Sequence, residues 1–247
     1  MLDAARLALL RPRAVAHRGR CLGDPEQALS SLQRLPSWVR GVEVDVRLSA
    51  DGVPVLMHDA RVDRTTDGHG EVAGLRADEI AALTLWPAER VPTLAAYLGA
   101  CAQRDMADVY LHLKVTTEAA VAAVAADVRA TGMAARTVLL FRQAKKARRA
   151  RAVAPEVRLG LLGTTRDTLD ERLRLAQQGG VWLLLAPRGD ERYLAQRDVV
   201  AAVRAAGVRV GASTLRGSCA HRAAVDDGCD VIISDSLHAL DGTDARS

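Results

Sequence analysis

Aromatic residues are scarce in this chain of 247: one Phe, three Trp and three Tyr. With so few rings to stack bases on, sequence-specific recognition of RNA or single strands is disfavoured. Hydrophobic residues still make up 49% of the chain, so the core must be built from Ala, Val, Leu and Ile. Cysteine is nearly as sparse: Cys21, Cys101, Cys219 and Cys229 show neither C-x-x-C spacing nor the density of a disulfide framework. No run approaches the ~18 apolar residues of a spanning helix. The opening MLDAARLALLRPR carries an acid at Asp3 and too short an apolar stretch for a signal-peptide core. These absences lead us to expect a soluble, cytoplasmic protein without stable membrane insertion.

Acidic residues are slightly outnumbered, 30 against 34 basic ones, for a formal charge of +4. The densest basic cluster is Lys145, Lys146, Arg148, Arg149 and Arg151. Such a run suits a nucleic-acid or anionic-lipid patch, or simply a solvated helix face. The solvated face is the expectation here, with no nucleic-acid partner.

What the chain does contain is alternation. Short aliphatic runs recur at 14–17, 41–47, 109–114, 137–141, 157–162, 181–186, 207–212 and 230–234, separated by Ala/Arg/Leu segments of helical period. Those segments cover 26–34, 93–104, 117–131, 143–153, 168–178, 191–206 and 217–227. Glycines at their exits, Gly132, Gly179, Gly180, Gly207 and Gly228, suit helix C-caps that feed the next strand. Repeated β-α units favour a parallel sheet with right-handed crossovers. Eight strands in about 250 residues favour an α/β fold of the (β/α)8 TIM-barrel type over an open doubly wound sheet. One domain, residues 1–247, is expected.

The interval 48–92 breaks the rhythm and reads as a small insertion between the second and third barrel strands. Ser49-Ala50-Asp51-Gly52 suits a hairpin turn, with Val53–Met57 returning as an extra strand that delivers His58. A short helix is expected near Asp78–Leu83, and the excursion as a whole suits a lid or insertion at the barrel mouth.

Ionisable residues gather at the strand ends. His17-Arg18-Gly19 follows the first strand, Glu43-Val44-Asp45 lies in the second, His58-Asp59 follows the extra strand, and His112 and Lys114 end the third. Period-two alternation puts Glu43 and Asp45 on one face, and His112 and Lys114 on one face. Two inward carboxylates repel unless a cation compensates, and a divalent ion with oxygen ligands does so economically. The alternative is that both merely face solvent from an edge strand. His17 and His58, with unperturbed pKa values of ~6.5, suit a general acid and base. His69, His221 and His238 lack acidic or strand-end company and read as surface residues.

Taken in order, HRG, PEQALSSL, GVEVDVRLSADGVPVLMHDARVDRTTDGHGEV, VPTLAAYL and VYLHLKV resemble the glycerophosphodiester phosphodiesterase family. TVLLF, PEVRLGLLG and GCDVIISD extend the resemblance over the rest of the chain. It implies that His17 and His58 are the catalytic acid/base pair and that Glu43 and Asp45 are metal ligands. It further implies that Arg18 and Lys114 contact substrate phosphate, and that Glu26, at the family's PEN-T position, organises the first loop on the substrate-binding side. The implied cofactor is a divalent metal, Mg²⁺ or Ca²⁺, and the implied partner is a small-molecule phosphodiester.

Four departures qualify the resemblance, the first being that the family's PEN-T is here Pro25-Glu26-Gln27-Ala28, so that an asparagine and a threonine contact are expected to be gone. His112 stands where the family carries a metal-binding glutamate. If His112 ligates, the softer and neutral imidazole shifts preference toward Mn²⁺ or Zn²⁺; the rival reading has it hydrogen-bonding substrate. The family's aromatic W-T-V-N is Gly211-Ala212-Ser213-Thr214, and its T-D-Y-P is Ser234-Asp235-Ser236-Leu237. The expected function is metal-dependent hydrolysis of glycerophosphodiesters to glycerol 3-phosphate and an alcohol. The alternatives are a lysophospholipid-type phosphodiesterase and a non-catalytic barrel that binds a phosphate-bearing ligand.

Overall fold

The protein is described by a computed structural model covering residues 4–21, 23–162, 174, 183–186 and 197–237. The aliphatic runs become strands β1 (Ala14–His17), β2 (Gly41–Leu48), β6 (Asp108–Leu113), β7 (Thr137–Phe141), β8 (Arg158–Leu162), β9 (Leu183–Ala186), β10 (Arg209–Leu215) and β11 (Val231–Ser234). They pair in parallel in the order β1-β2-β6-β7-β8-β9-β10-β11. β1 also pairs with β11, which closes the sheet into an eight-stranded barrel. An open doubly wound sheet would leave β1 or β11 as an edge, and neither is one.

The helices lie outside this barrel: α1 (Ala4–Leu10), α2 (Leu29–Arg34), α4 (Leu94–Gln103), α5 (Glu118–Ala130), α6 (Ala144–Val153), α7 (Arg197–Ala205) and α8 (Ser218–Asp226). The segment at 168–178, the exit at Gly179-Gly180 and His238 lie outside the described residues, apart from Arg174. Thr93 and Thr117 cap α4 and α5, each hydroxyl accepting from the backbone N–H three residues on, at 3.2 Å. Gly132, Gly207 and Gly228 all take positive φ just past their helices, the conformation a helix exit needs.

Strand alternation divides the core in two. Val42, Val44, Val46, Val109 and Leu111 face outward and pack with the helices. Val15, Tyr110, Val138, Leu140, Val231 and Ile233 face inward and fill the barrel. Gly41 lies where a Cβ would meet Val15 Cγ2 at 2.8 Å, so the barrel interior leaves no room for a side chain there. Above the filled layers the inward positions turn polar, and they belong to the site.

Between β2 and β6 the chain forms β3 (Pro54–Leu56), α3 (Ala77–Ala82), β4 (Thr84–Leu85) and β5 (Glu89–Arg90). β3 runs antiparallel to β2, with Val46 opposite Leu56. The segment buries its own cluster, Val55, Met57, Val62, Val72, Ile80, Leu85 and Val91, together with Ala28 from the loop after β1. That shared cluster fixes the segment against the β1 loop and thereby sets where His58 sits.

One expectation fails. His221 is not a surface residue but fully buried. Its Nε2 lies 2.7 Å from Ser234 Oγ and its Nδ1 2.6 Å from the Gly217 carbonyl. Alternation sends Ser234 outward from β11 onto α8, so the imidazole is a polar pin between helix and strand.

Candidate active site

β2 pairs with β6 from Gly41 to Val46, with β1 from Gly41 to Glu43 and with β3 from Val46 to Leu48. It is therefore no edge strand, and its polar face is buried. Glu43, opposite His17 on β1 and Tyr110 on β6, is 5% exposed. Asp45, opposite His112, is 1% exposed. Donor atoms of Glu43, Asp45 and His112 all lie within 4.8 Å of one another.

The two acids share their burial unequally. Lys114 Nζ lies 2.7 Å from Asp45 Oδ1 and 3.0 Å from His112 Nδ1. His112 Nδ1 is 3.2 Å from the same Asp45 oxygen. Although burial alone would raise the Asp45 pKa, the bonds and charges of His112 and Lys114 hold it well below the usual carboxylate range. Around Glu43 the favourable neighbours, His17, the Arg18 N–H and the Lys114 charge, are too weak to offset its burial. Burial, reinforced by the Asp45 charge, pushes its pKa up to about 7. Burial likewise lowers the His112 pKa and favours the neutral imidazole.

Each proposed catalytic histidine is held by a carboxylate. His17 Nδ1 lies 2.6 Å from Asp235 Oδ1, leaving Nε2 on the side of Glu43, 3.8 Å from its Oε2. Asp235 is in turn gripped by Arg216, whose Nε and second guanidinium nitrogen stand 2.8 and 2.7 Å from Oδ2. Burial pushes the Asp235 pKa up, but the His17 bond and the Arg216 charge outweigh it and keep the group ionised. His58 repeats the device: Nδ1 lies 2.6 Å from Asp59 Oδ1. The bond from Arg64 holds the Asp59 pKa down at about 2. Burial lowers the His58 pKa, and the backbone bond from the Met57 N–H to the Asp45 carbonyl, 3.1 Å, sets His58 beside the same mouth.

Arg18 adopts φ 54°, and its backbone N–H donates to Glu43 Oε2 at 3.3 Å. Its guanidinium donates to Glu26 at 2.7 Å, and its Nε stands 3.7 Å from Asp45 Oδ2 without a hydrogen-bond partner. Glu26 is buried between two guanidinium groups, those of Arg18 and Arg64. Burial raises its pKa, but Arg64 and Arg18 together bring it below the ordinary value. Gly19 then turns at φ 64°, where a Cβ would stand 2.0 Å from the Tyr97 hydroxyl.

The barrel thus brings together His17, Arg18, Glu26, Glu43, Asp45, His112 and Lys114, with His58 delivered from β3. Sequence reasoning passed over three further contributors, Arg64, Arg216 and Asp235, and was wrong about a fourth: Gln27 stands where a contact was expected to be gone, yet it makes one. Gln27 accepts from the Asp45 N–H at 2.8 Å and reaches Asp45 Oδ2 at 3.4 Å. Arg64, Arg216 and Asp235 complete the two histidine supports. Asp235 alone carried a usable signal, since it follows the apolar run VIIS at a strand end as His17 follows AVA.

Comparison with known proteins identifies the family to which the chain is similar. The model of the glycerophosphoryl diester phosphodiesterase family matches residues 17–239. Human glycerophosphodiester phosphodiesterase 1 is 37% identical over 130 residues, spanning 46% of this chain and 39% of the human protein. A glycerophosphodiester phosphodiesterase of Caldanaerobacter subterraneus is 36% identical over 93 residues, 34% of this chain and 38% of the relative. The aligned segments thus span well under half of these relatives. A crystal structure of glycerophosphodiester phosphodiesterase from Agrobacterium tumefaciens superposes with TM-score 0.78 at 27% identity, covering 94% of this chain and 99% of that one. The Oleispira antarctica phosphodiesterase in complex with the product sn-glycerol-3-phosphate shares the fold, with TM-score 0.80 at 24% identity over 96% and 98% of the two chains.

Proposed function

The chain belongs to the glycerophosphoryl diester phosphodiesterase family, and from that premise we propose that it is a metal-dependent hydrolase of glycerophosphodiesters. The products are glycerol 3-phosphate and an alcohol. The observation that carries this reading is the pair of carboxylate-supported histidines, His17 with Asp235 and His58 with Asp59, set beside a buried Glu/Asp/His cluster. A barrel that only bound a phosphate-bearing ligand would have no use for two poised proton carriers.

Glu43, Asp45 and His112 fit a divalent cation. Their donor atoms converge, and the elevated proton affinity of Glu43 is the signature of two buried acids short of positive charge. When His112 Nδ1 is unprotonated, its lone pair faces Asp45 and Lys114, the state a metal ligand requires. A bound divalent ion would supply Lewis-acid polarisation of the phosphoryl oxygens. With a nitrogen among the donors, Mn²⁺ and Zn²⁺ join Mg²⁺ and Ca²⁺ as candidates.

The chain's own residues account for the remaining chemistry. Lys114 and Arg18 place an ammonium and a guanidinium at the mouth, where they meet the charge that grows on the phosphoryl oxygens during in-line displacement. Asp235 holds the proton of His17 on Nδ1 and so keeps Nε2 available to the reacting centre; Asp59 does the same for His58. One Nε2 accepts the proton of the attacking hydroxyl or water. The other, protonated, donates to the departing alkoxide. Glu26 does not itself face a phosphate in this reading; clamped by Arg18 and Arg64, it orients the Arg18 guanidinium.

The test is alcohol release from a panel of glycerophosphodiesters with Mg²⁺, Ca²⁺, Mn²⁺ and Zn²⁺. Turnover with at least one metal and its loss in His17→Ala are expected. No turnover with any metal, or full activity in His17→Ala, would overturn the assignment. In the same panel, His112→Glu is expected to move metal preference toward Mg²⁺ and Ca²⁺, and an unchanged order would remove His112 from the ligand set.

A further inference from the structure

The helix α6 carries a charge pattern that the barrel does not require. Residues 142–149 read RQAKKARR, and no acid occurs between Arg142 and Pro155. Ala144, Ala147 and Ala150 face inward and are buried, while Arg142, Lys145, Lys146, Arg148 and Arg149 are all exposed. Elsewhere the surface pairs its arginines: Arg6 with Asp226, Arg34 with Asp24, Arg40 and Arg136 with Asp105, Arg129 with Glu156. None of the five cations on or beside α6 has an ion-pair partner among the described residues.

The arrangement also works against the helix. Lys145 and Lys146 sit in its first turn, at the positive end of the macrodipole, and no acid is present there to offset them. Lys145 lies three and four residues from Arg148 and Arg149, so like charges are neighbours on one face. A cluster that departs from local preference without compensation in the fold marks a surface shaped by something outside it.

We propose that the exposed face of α6 is a peripheral docking surface for an anionic lipid bilayer. Three observations bear on the occupant and its mode of binding. Ala144, Ala147 and Ala150 seat α6 against β7, β8 and α5, so its cations lie together on the outward side of the helix. No aromatic residue occurs between Arg142 and Val153 to stack a base. No exposed large apolar side chain accompanies the cations on that face, which suits reversible electrostatic adsorption at the headgroup level rather than insertion. α6 begins just past the C-terminal end of β7, the end of the barrel at which His17 and Lys114 also stand. Docking would therefore hold the membrane close to the barrel mouth. The inference rests on charge and exposure and is independent of the phosphodiesterase reading.

The experiment compares the wild-type chain with a variant carrying Lys145→Gln, Lys146→Gln, Arg148→Gln and Arg149→Gln, in co-sedimentation with two kinds of vesicle. One is pure phosphatidylcholine; the other contains about 30 mol% phosphatidylserine. The wild type is expected to sediment with the anionic vesicles at low salt, to be released by about 0.5 M salt, and to ignore the neutral ones. Neutralising four cations should lower the partition coefficient on the order of 100-fold or more. Thermal unfolding of the variant and its turnover of a water-soluble glycerophosphodiester are expected to match the wild type, so binding is read separately from catalysis. Absence of wild-type binding, equal binding by the variant, or displacement from the vesicles by an equal phosphate concentration of duplex DNA would each overturn the proposal.

Discussion

At the scale of single residues, the proposed mechanism makes each histidine depend on its neighbours: Asp235 would fix which nitrogen of His17 carries the proton, and Arg216 stands against Asp235. Asp235→Asn preserves shape but cannot hold the same tautomer. We expect kcat to fall by about 10²-fold or more with KM little changed, measured by steady-state kinetics on a soluble glycerophosphodiester; a change confined to KM would instead place Asp235 in substrate binding. Gly19→Ala tests the turn after His17. Its new methyl meets the buried Tyr97 hydroxyl at a positive φ, so a loss of about 1–3 kcal/mol of stability is expected in denaturant unfolding. Most of the site was legible in the sequence because strand alternation and strand ends are local signals: His17, Glu43, Asp45, His112 and Lys114 announce themselves. Arg64, Arg216 and Gln27 did not, because their partners are set by tertiary contacts across 38, 19 and 18 residues of chain.

At the scale of elements, α8 illustrates what alternation alone misses. Ser234 looks like any polar residue at a strand end, yet it points outward and meets His221 beneath the helix. His221 reads as a surface histidine when judged by its polarity alone, although it stands three and four residues before Ala224 and Val225, a spacing that puts it on the buried face of α8. Burial lowers its pKa. For a base whose folded-state pKa is depressed, the native state prefers the neutral ring. Its contribution is therefore full above the unfolded-state value of about 6.5 and is lost as pH falls from there toward the lower folded-state value. We expect the Tm to decline between about pH 7 and pH 5, and His221→Gln to flatten that decline while lowering Tm at pH 7.5. An unaltered acid slope in the variant would assign the decline to other groups. The caps are simpler: Thr117→Ala removes the hydroxyl that accepts from Ala120 and should cost about 1 kcal/mol, read as a fall in Tm.

At the scale of the whole molecule, β-α alternation was enough to specify a closed barrel because each strand pairs with its successor along the chain, apart from the hairpin at β3. The strand positions at 14–17 and 137–141 coincide with β1 and β7, and the others differ at their ends by a few residues. What the sequence left open is how the barrel mouth balances charge. Five carboxylates, Glu26, Glu43, Asp45, Asp59 and Asp235, meet four cations, Arg18, Arg64, Lys114 and Arg216, and three histidines, His17, His58 and His112, at one rim. The acids outnumber the fixed cations, and the proposed divalent ion would supply the missing positive charge. Metal that binds the native state raises its stability by mass action, about 2.7 kcal/mol at a hundredfold excess over Kd. Addition of the activating metal should raise the Tm of the wild type and leave that of Asp45→Asn unmoved; chelation should reverse the rise. No described helix is long and apolar enough to cross a membrane.

The most direct measurement follows glycerophosphocholine by ³¹P NMR in the presence of each divalent metal, with wild type and His58→Ala side by side. The account predicts that the wild type converts the diester signal to that of glycerol 3-phosphate, and that His58→Ala leaves the diester intact. Accumulation of phosphocholine in place of glycerol 3-phosphate, or equal conversion by His58→Ala, would contradict it.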